Sequence, residues 1–233
     1  MNIAVIPARG GSRRIPRKNI KLFNGLPVIA YAIKAARESG VFSEIIVSTE
    51  DEEIAEIATS FGASIPWMRP KSLSEDNSTT VSVMQDAVMK LKSCFNEIEY
   101  VCCVYPATPL LQPKFIREGF KVIRDGNWDY TISASLAETP PQRFFSLDSV
   151  NRVHMYFPEK QETRNQDFLP SYRDAGQFYF GRSSSWELGL KIFSSSSTII
   201  EIPRHLSVDI DTLNDWHYAE LLFAMHIGEL NEQ

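Results

Sequence analysis

The chain lacks the features that would assign it quickly to a membrane, secreted or metal-centred class. None of its apolar runs approaches the length of a membrane-spanning helix, and no stretch near Met1 has the apolar core of a secretory signal. Its three cysteines are an odd set without metal-ligand spacing, and its four histidines are too dispersed for a metal triad. We therefore expect a cytoplasmic protein without a membrane partner, whose cysteines are small buried hydrophobic residues.

Acidic residues are absent from residues 1–37, which hold eight lysines and arginines. The rest of the chain holds the other 16 of the 24 basic residues and all 29 acidic residues, and the formal net charge is −5. A protein whose bulk is this acidic repels polyanions, which argues against nucleic acid as a partner. A local basic pocket in such a protein suits a small anionic ligand better.

Short apolar runs alternate with segments of helical periodicity along the first half of the chain. The pattern predicts strands at 3–7, 44–49, 100–105 and 130–135, and helices at 27–40, 50–62, 80–92 and 113–124. The run "YVCCVY" is apolar throughout, as expected for a strand covered by helices on both faces. The alternation predicts an α/β fold with a doubly wound, mostly parallel sheet of the Rossmann-like kind.

The alternation stops at residues 137–172, where four prolines separate aromatic and charged residues. We expect an inserted hairpin arm or lid there, within a single domain that spans residues 1–233. The core resumes with "GQFYFG" and "STIIEIP". A final helix is predicted at 212–227, with Trp216, Ala219, Phe223 and Ile227 facing inward.

The stretch "IPARGGSRRIPRKN", residues 6–19, follows the first predicted strand. Ligands of open parallel sheets bind beyond the carboxyl ends of the strands, where this loop would lie. Gly10 and Gly11 would let the backbone approach a ligand closely and adopt positive φ. Their amides and the basic side chains would cradle oxygen anions, although the loop matches neither Walker A nor GxGxxG. The alternatives are a solvated basic loop and a nucleic-acid patch.

The same stretch resembles the signature of cytidylyltransferases that activate nonulosonic acids, the family of the CMP-sialic acid synthetases. That signature is an A-R-x-x-S-K/R segment followed by P-x-K-N. The resemblance continues through "IIVSTED", "RPKSLSEDNSTT", "YPATPL" and "VDIDT", and so covers most of the chain. Within the family, "ETRNQD…YRDAGQFYFG" is most similar to the enzymes that act on pseudaminic acid.

The resemblance implies a Rossmann-like nucleotidyltransferase that transfers CMP from CTP to the anomeric hydroxyl of a nine-carbon 2-keto sugar acid, with release of pyrophosphate. Arg13, Lys18 and Asp211 would carry the catalytic roles, because charge on the phosphates and the attacking hydroxyl must be managed there. The residues expected to bind the nucleotide are Ala8, Arg9, Gly10, Ser12, Arg13, Lys18, Asn19, Arg69 and Thr80. For Arg69, a surface ion pair is the alternative.

Asp209 and Asp211 lie two residues apart in "VDIDT". In an extended segment both carboxylates point to one face, with Cα atoms roughly 6.5–7 Å apart. Such a pair can hold Mg²⁺ against a phosphate, which makes Mg²⁺ the expected cofactor. The alternative is that Asp211 caps the following helix. The proton of the attacking hydroxyl would pass either to Asp211 or to a metal-bound hydroxide.

The resemblance implies sugar contacts from Tyr105, Arg164, Arg173 and Gln177, with Arg164 and Arg173 competing as ligands of the sugar carboxylate. For Gln177, strand capping and loop hydrogen bonding are an equal alternative. Tyr105 and Ala175 replace a glutamine and an asparagine of the sialic acid enzymes, which argues against ordinary N-acetylneuraminate. CMP-N-acetylneuraminate or CMP-legionaminate synthesis is the near alternative. A nucleotide-sugar glycosyltransferase and a non-catalytic nucleotide-binding protein are more remote.

The enzymes of this family are dimers in which the inserted arm reaches over the neighbouring site. The resemblance therefore implies a homodimer formed through residues 137–172.

Overall fold

The computed structural model describes residues 1–231, and the side chains of residues 1–225. Six of its ten strands form one central sheet in the order β10-β6-β9-β5-β1-β4. In chain order the strands are β1 (Asn2–Pro7), β2 (Leu22–Phe23), β3 (Leu26–Pro27), β4 (Glu44–Ser48), β5 (Tyr100–Val104), β6 (Tyr130–Leu136), β7 (Phe145–Leu147), β8 (Val153–Met155), β9 (Tyr172–Arg182) and β10 (Ser197–Glu201).

The central sheet is mostly parallel, as the sequence predicted. Strand β1 pairs in parallel with β4 and β5, and β6 pairs in parallel with β10. Strand β9 is the exception, because it runs antiparallel to both of its neighbours, β5 and β6. The N-terminal end of β9 therefore lies at the same edge as the carboxyl ends of the parallel strands.

Helices cover both faces of the sheet, which explains why a central strand such as β5 is apolar throughout. The helices are α1 (Val28–Glu38), α2 (Glu52–Ser60), α3 (Thr80–Cys94), α4 (Pro113–Asp125), α5 (Ser183–Glu187) and α6 (Leu213–Asn231). In β1, Ala4 and Ile6 pack with α1, α2 and α4, whereas Ile3 and Val5 pack with α3 and α5. Alternate residues of a strand point to opposite faces, so most positions in a sheet covered on both sides are apolar. The buried exceptions on β6 are Thr131, Ser133 and Ser135.

Helix α6 completes a third cluster, in which Trp216 and Ala219 pack against Phe23 of β2. Both residues are buried, as predicted, and Phe223 is half-buried. The helix continues past the predicted end at residue 227, and the predicted inward position of Ile227 lies outside the described side chains. Within the described residues, none of the helices has the length and apolar character needed to cross a bilayer.

Residues 137–171 leave the sheet between β6 and β9 and contain the antiparallel hairpin of β7 and β8. The sheet resumes at Tyr172, which pairs with Leu136. The segment exposes an unusual number of large apolar side chains, among them Phe144, Phe145, Leu147, Val153 and Tyr156. Its assignment to a dimer interface stays a prediction.

Candidate functional site

The carboxyl edge of the sheet surrounds two adjoining cavities that bring most of the predicted site residues together. The first cavity, of about 240 Å³, is lined by Arg9, Lys18, Asn19, Arg69, Thr80, Tyr105 and Asp209, among other residues. The second, of about 380 Å³, is lined by Arg9, Ser12, Arg13, Arg14, Lys18, Asn19, Asp76 and Asp211. The predicted residues that line neither cavity are Ala8, Gly10, Arg164, Arg173 and Gln177.

Gly10 has a different role from the one predicted. Its amide donates a hydrogen bond to Glu50 Oε1 at 2.8 Å, so it is already engaged within the protein. A Cβ at Gly10 would overlap the carboxylate of Asp51, which explains why no larger residue fits. The prediction of positive φ at Gly10 and Gly11 is wrong, because the left-handed residue of the loop is Arg17, with φ of 55°.

Arg17 is held away from the cavities by two acids that follow β4. Its guanidinium donates to Asp51 Oδ1 at 2.9 Å and also pairs with Glu53. The hydrogen bond from Arg17 lowers the pKa of Asp51, which also caps the N-terminus of α2. One of the five basic residues in residues 6–19 is therefore a structural anchor, and the other four form the cationic wall of the second cavity.

Four cations of the loop face the second cavity, and each pairs there with a carboxylate. Arg9 and Arg13 both contact Asp76, with N–O distances of 3.0 and 2.5 Å. Arg14 and Lys18 contact Asp211 Oδ1 at 2.8 and 3.5 Å. The ammonium of Lys18 is also fixed by the carbonyl of Ile210, to which it donates at 2.6 Å.

The backbone of the loop is supported from inside by Asn19. The Nδ2 of Asn19 donates to the carbonyl of Arg9 at 2.9 Å, while its Oδ1 is buried without a hydrogen-bond partner. A buried acceptor without a partner costs free energy, which makes Oδ1 an acceptor that a bound ligand could satisfy. The position of Asn19 at both cavities fits its predicted role in nucleotide binding.

The two late aspartates lie opposite the cationic loop. Burial and the charge of Asp211 raise the pKa of Asp209, and Lys18 opposes that shift. Gly176 lies beside the Asp209 carboxylate with a φ of 62°, a left-handed conformation that favours glycine. Two carboxylates with excess negative potential are oxygen ligands that suit a divalent cation.

The alternative in which Asp211 caps α6 is wrong. Thr212 and Asp215 cap the helix reciprocally: the amide of Asp215 donates to Thr212 Oγ1 at 3.3 Å, and the amide of Thr212 donates to Asp215 Oδ2 at 2.7 Å. The side chain of Asp211 is therefore released to face Arg14 and Lys18. Among the described residues no cluster of three or more histidines, cysteines or acids could hold a metal. Asp209 and Asp211 could therefore supply only part of the ligands of a metal ion, and Mg²⁺ commonly takes its remaining ligands from phosphates and water.

Arg69 is not a surface residue, so that alternative is also wrong. Its side chain is 3% exposed, and its guanidinium donates to Glu50 Oε2 at 2.8 Å and to Ser74 Oγ at 3.0 Å. Glu50 therefore joins the Gly10 amide of the loop to Arg69 of the first cavity. Sequence reasoning missed this role, although Glu50 lies in the quoted motif "IIVSTED".

Two hydroxyls meet at the other wall of the first cavity, where Thr80 Oγ1 lies 2.8 Å from Tyr105 Oη. The ring of Tyr105 packs edge-on against Tyr179, whose hydroxyl donates to Asp174. Burial raises the pKa of Tyr105 and of Tyr179, so both phenols are neutral at physiological pH.

The remaining predicted sugar residues are separated. Gln177 is buried on β9, where its Nε2 donates to the carbonyl of Leu206 at 2.5 Å, and its Oε1 has no hydrogen-bond partner. Arg173, also on β9, donates to the carbonyl of Ser207 at 2.7 Å. Arg164 lies on the inserted segment, exposed and paired with Asp167, and does not reach the cavities of its own chain.

A doubly wound sheet whose carboxyl edge holds cavities with cationic and carboxylate walls is the arrangement expected of a nucleotidyltransferase. A family model described as cytidylyltransferase matches residues 3–215, and the chain belongs to that family.

Individual relatives agree with this assignment. Over 225 residues the chain is 40% identical to the pseudaminic acid cytidylyltransferase of Campylobacter jejuni, with 97% of each protein covered. It is 32% identical to the CMP-N,N'-diacetyllegionaminic acid synthase of Legionella pneumophila, with 96% and 97% covered. The solved structure of CMP:2-keto-3-deoxy-manno-octonic acid synthetase complexed with CTP matches 97% of the chain with a TM-score of 0.72 at 16% identity. That last likeness confirms the predicted fold.

Proposed function

We propose that this cytidylyltransferase joins CTP to pseudaminic acid, giving the CMP-sugar and pyrophosphate. The 40% identity to the Campylobacter enzyme over nearly the whole of both chains is the observation that carries the choice of sugar. The identity to the legionaminic acid enzyme is lower, at 32%, so legionaminic acid is the alternative substrate. Tyr105 and Ala175 also differ from the glutamine and asparagine expected in the sialic acid enzymes.

The nucleotide would extend across both cavities. Arg9, Ser12, Arg13 and Lys18 would hold the triphosphate in the second cavity, while Arg69 and Thr80 would enclose the base and ribose in the first. Guanidinium groups bind phosphate oxygens through paired, charge-assisted hydrogen bonds. Because the leaving pyrophosphate gains charge as the bond to the α-phosphorus breaks, these cations would stabilise the transition state more than the substrate.

Asp209 and Asp211 fit a divalent cation, and we assign Mg²⁺ to them. When bound, this ion would neutralise phosphate charge and orient the α-phosphate. Lys18 would then exchange its contact with Asp211 for a phosphate oxygen, guided by the carbonyl of Ile210 that anchors it. The anomeric hydroxyl would attack the α-phosphorus in line, and Asp211 is the candidate side chain for accepting its proton.

The sugar would bind beyond Tyr105, between β9 and the mouth of the cavities. Arg173 is the candidate for its carboxylate within one chain, since it lies on β9 at the edge that also holds the aspartates. Arg164 lies on the inserted segment and would serve the site of a second copy. We therefore expect Arg173→Ala to raise the KM for the sugar, and Arg164→Ala to raise it only through the dimer.

A homodimer built through residues 137–172 would cover the apolar side chains that the hairpin exposes. Phe145 and Leu147 are more than half exposed on β7, which disfavours a free hairpin in water. Phe145→Glu with Leu147→Glu should convert the protein to monomers in light scattering. Leu188→Glu, at a still more exposed leucine outside the segment, is the control. A dimer unaffected by the double substitution would contradict this interface.

A cytoplasmic location is supported by the cysteines. Cys94, Cys102 and Cys103 are all free, as expected in a reducing compartment.

The decisive assay combines each of the four nucleoside triphosphates with a panel of nine-carbon acids, in magnesium buffer, and measures pyrophosphate together with product mass. The expected result is a CMP-sugar formed from CTP and pseudaminic acid. Asp209→Asn and Asp211→Asn should each reduce turnover strongly while leaving the fold intact. A product with legionaminic acid but not pseudaminic acid would refute the choice of sugar. Binding of CTP without release of pyrophosphate from it in the presence of any of the acids would refute the activity and favour a non-catalytic role.

A further inference from the structure

The cationic wall of the second cavity is already partly neutralised by the protein itself, because two carboxylates pair with its four cations. Asp76, on the loop between Arg69 and α3, contacts Arg9 and Arg13 together, one carboxylate oxygen to each guanidinium. It lies 67 residues from Arg9 in sequence. Asp76 also lines both of the cavities described above.

A carboxylate bridging two arginines has the same hydrogen-bonding pattern as a phosphate group bridging them. Arg9 and Arg13 cannot present the same N–H groups to Asp76 and to a triphosphate at once. The polyphosphate tail must therefore displace Asp76 or share the arginines with it. Asp76 itself is 38% exposed in its side chain, and Arg13 is 83% exposed, so these pairs are solvated and readily exchanged.

We propose that Asp76 is a specificity-determining residue that acts as an internal anion, competing with polyphosphate for Arg9 and Arg13. This role rests on the proposed function, because it concerns the site where the triphosphate would bind and pyrophosphate would leave. The competition lowers the affinity for both molecules. It disfavours anions of low charge, which gain too little from the arginines to displace the carboxylate, and it favours departure of pyrophosphate after the reaction.

The alternative for Asp76 is that it only orients the two arginines for the ligand. The two roles predict opposite changes in the affinity for polyphosphate when Asp76 is neutralised. If Asp76 competes, its neutralisation tightens polyphosphate binding. If Asp76 orients the arginines, neutralisation leaves them less well placed, and binding weakens.

The test is calorimetric titration with inorganic pyrophosphate and, separately, with CTP, in the absence of metal and sugar so that no turnover occurs. We expect Asp76→Asn to bind both ligands about three- to tenfold more tightly than wild type, since two partly exposed ion pairs no longer compete. Unchanged or weaker binding by a folded Asp76→Asn protein would overturn the proposal. Thermal unfolding of the same sample checks the fold.

The matched control is Glu75→Gln. It removes the same charge one residue away and leaves the ion pairs of Asp76 with Arg9 and Arg13 in place. An equal gain in affinity in both variants would reduce the effect to general electrostatics and overturn the proposal. A double-mutant cycle with Arg13→Gln gives a second readout, because the gain from Asp76→Asn should shrink once one of its partners is absent. An undiminished gain would also count against it.

The outcomes separate this role from the proposed function. Tighter pyrophosphate binding by Asp76→Asn, in a protein that forms no CMP-sugar with any acid, would leave the internal anion standing and refute the activity. Formation of the CMP-sugar without any gain in binding by Asp76→Asn would support the activity and refute the role of Asp76 as an internal anion.

Discussion

Glu50→Gln is the substitution with the sharpest expected consequence, because Glu50 supports two parts of the site at once. One carboxylate oxygen accepts from the Gly10 amide, and the other accepts from the guanidinium of Arg69. Glutamine has nearly the same shape, but its single oxygen can serve one of these donors only. Its NH₂ group would then face the other donor, and the charge of Arg69 would lose its partner inside the protein.

The magnitude follows from the burial of this pair. The side chain of Arg69 is 3% exposed and that of Glu50 is 16% exposed, so solvent cannot replace the lost charge. Removing one partner of a buried ion pair costs about 3–5 kcal/mol, and we expect the lower end because glutamine keeps one hydrogen bond. For a chain of this size a loss of about 3 kcal/mol lowers the Tm by about 6–12 °C.

The measurement is thermal unfolding followed by circular dichroism, supported by urea titration. Glu53→Gln is the matched control, since Glu53 is 64% exposed and pairs with Arg17 at the surface. Such a pair contributes about 0–1 kcal/mol, so the control should lower the Tm by only a few degrees. Equal Tm values for Glu50→Gln and Glu53→Gln would refute the reasoning.

The same residue makes the effect depend on pH. Burial alone would raise the pKa of Glu50, but the hydrogen bonds from Gly10, Ser74 and Arg69 outweigh it and hold the pKa below its ordinary value of 4.5. A carboxyl whose pKa is lower in the folded protein contributes stability above its unfolded pKa and loses that contribution as the pH falls through the folded value. The difference in Tm between wild type and Glu50→Gln should therefore be constant near neutral pH and shrink below pH 4.5. A difference that grows on acidification would contradict this assignment.

Three further predictions concern the aspartate pair, the core and the phosphate loop. Thr212→Ala should lower the free energy of unfolding by about 1 kcal/mol and leave turnover nearly intact. Asp211→Asn should abolish most turnover and change the stability little. Unfolding and rate assays on both variants test this contrast. Gly181→Ala should cost about 1–3 kcal/mol in urea titration, because a Cβ there overlaps the ring of Trp186, and an unchanged midpoint would contradict that packing. Arg13→Ala should lower kcat/KM for CTP at least tenfold, which corresponds to a loss of about 1.5–3 kcal/mol of transition-state stabilisation. An unchanged kcat/KM for CTP would show that Arg13 does not belong to the phosphate site.

Much of the fold could be predicted because its signals are local. Alternating apolar runs and helical periodicities report which faces are buried, and strands covered on both sides leave a continuous apolar run such as Tyr100–Val104. The direction of β9 could not be read in this way. Parallel and antiparallel strands bury the same faces, and the connection through residues 137–171 carries no periodic pattern that indicates its path.

The composition of the loop after β1 was enough to predict an anion site, because a cluster of cations without acids is unusual in an acidic protein. Its division of labour required the fold. Arg13 and Arg17 are the same residue type four positions apart, yet Arg13 faces the cavity and Arg17 is bound by Asp51. The left-handed backbone at Arg17 and the position of α2 decide this, and neither leaves a pattern in the sequence.

The sequence by itself determined the class of protein: an α/β sheet, a cationic loop at its carboxyl edge, and an aspartate pair late in the chain. Only the tertiary structure decided which acid each cation meets, that Thr212 rather than Asp211 caps α6, and that Glu50 joins Gly10 to Arg69. The physical reason is the distance along the chain over which each interaction acts. Burial patterns and capping preferences act within a few residues, whereas ion pairs such as Arg9 with Asp76 join residues that only the order of the strands brings together.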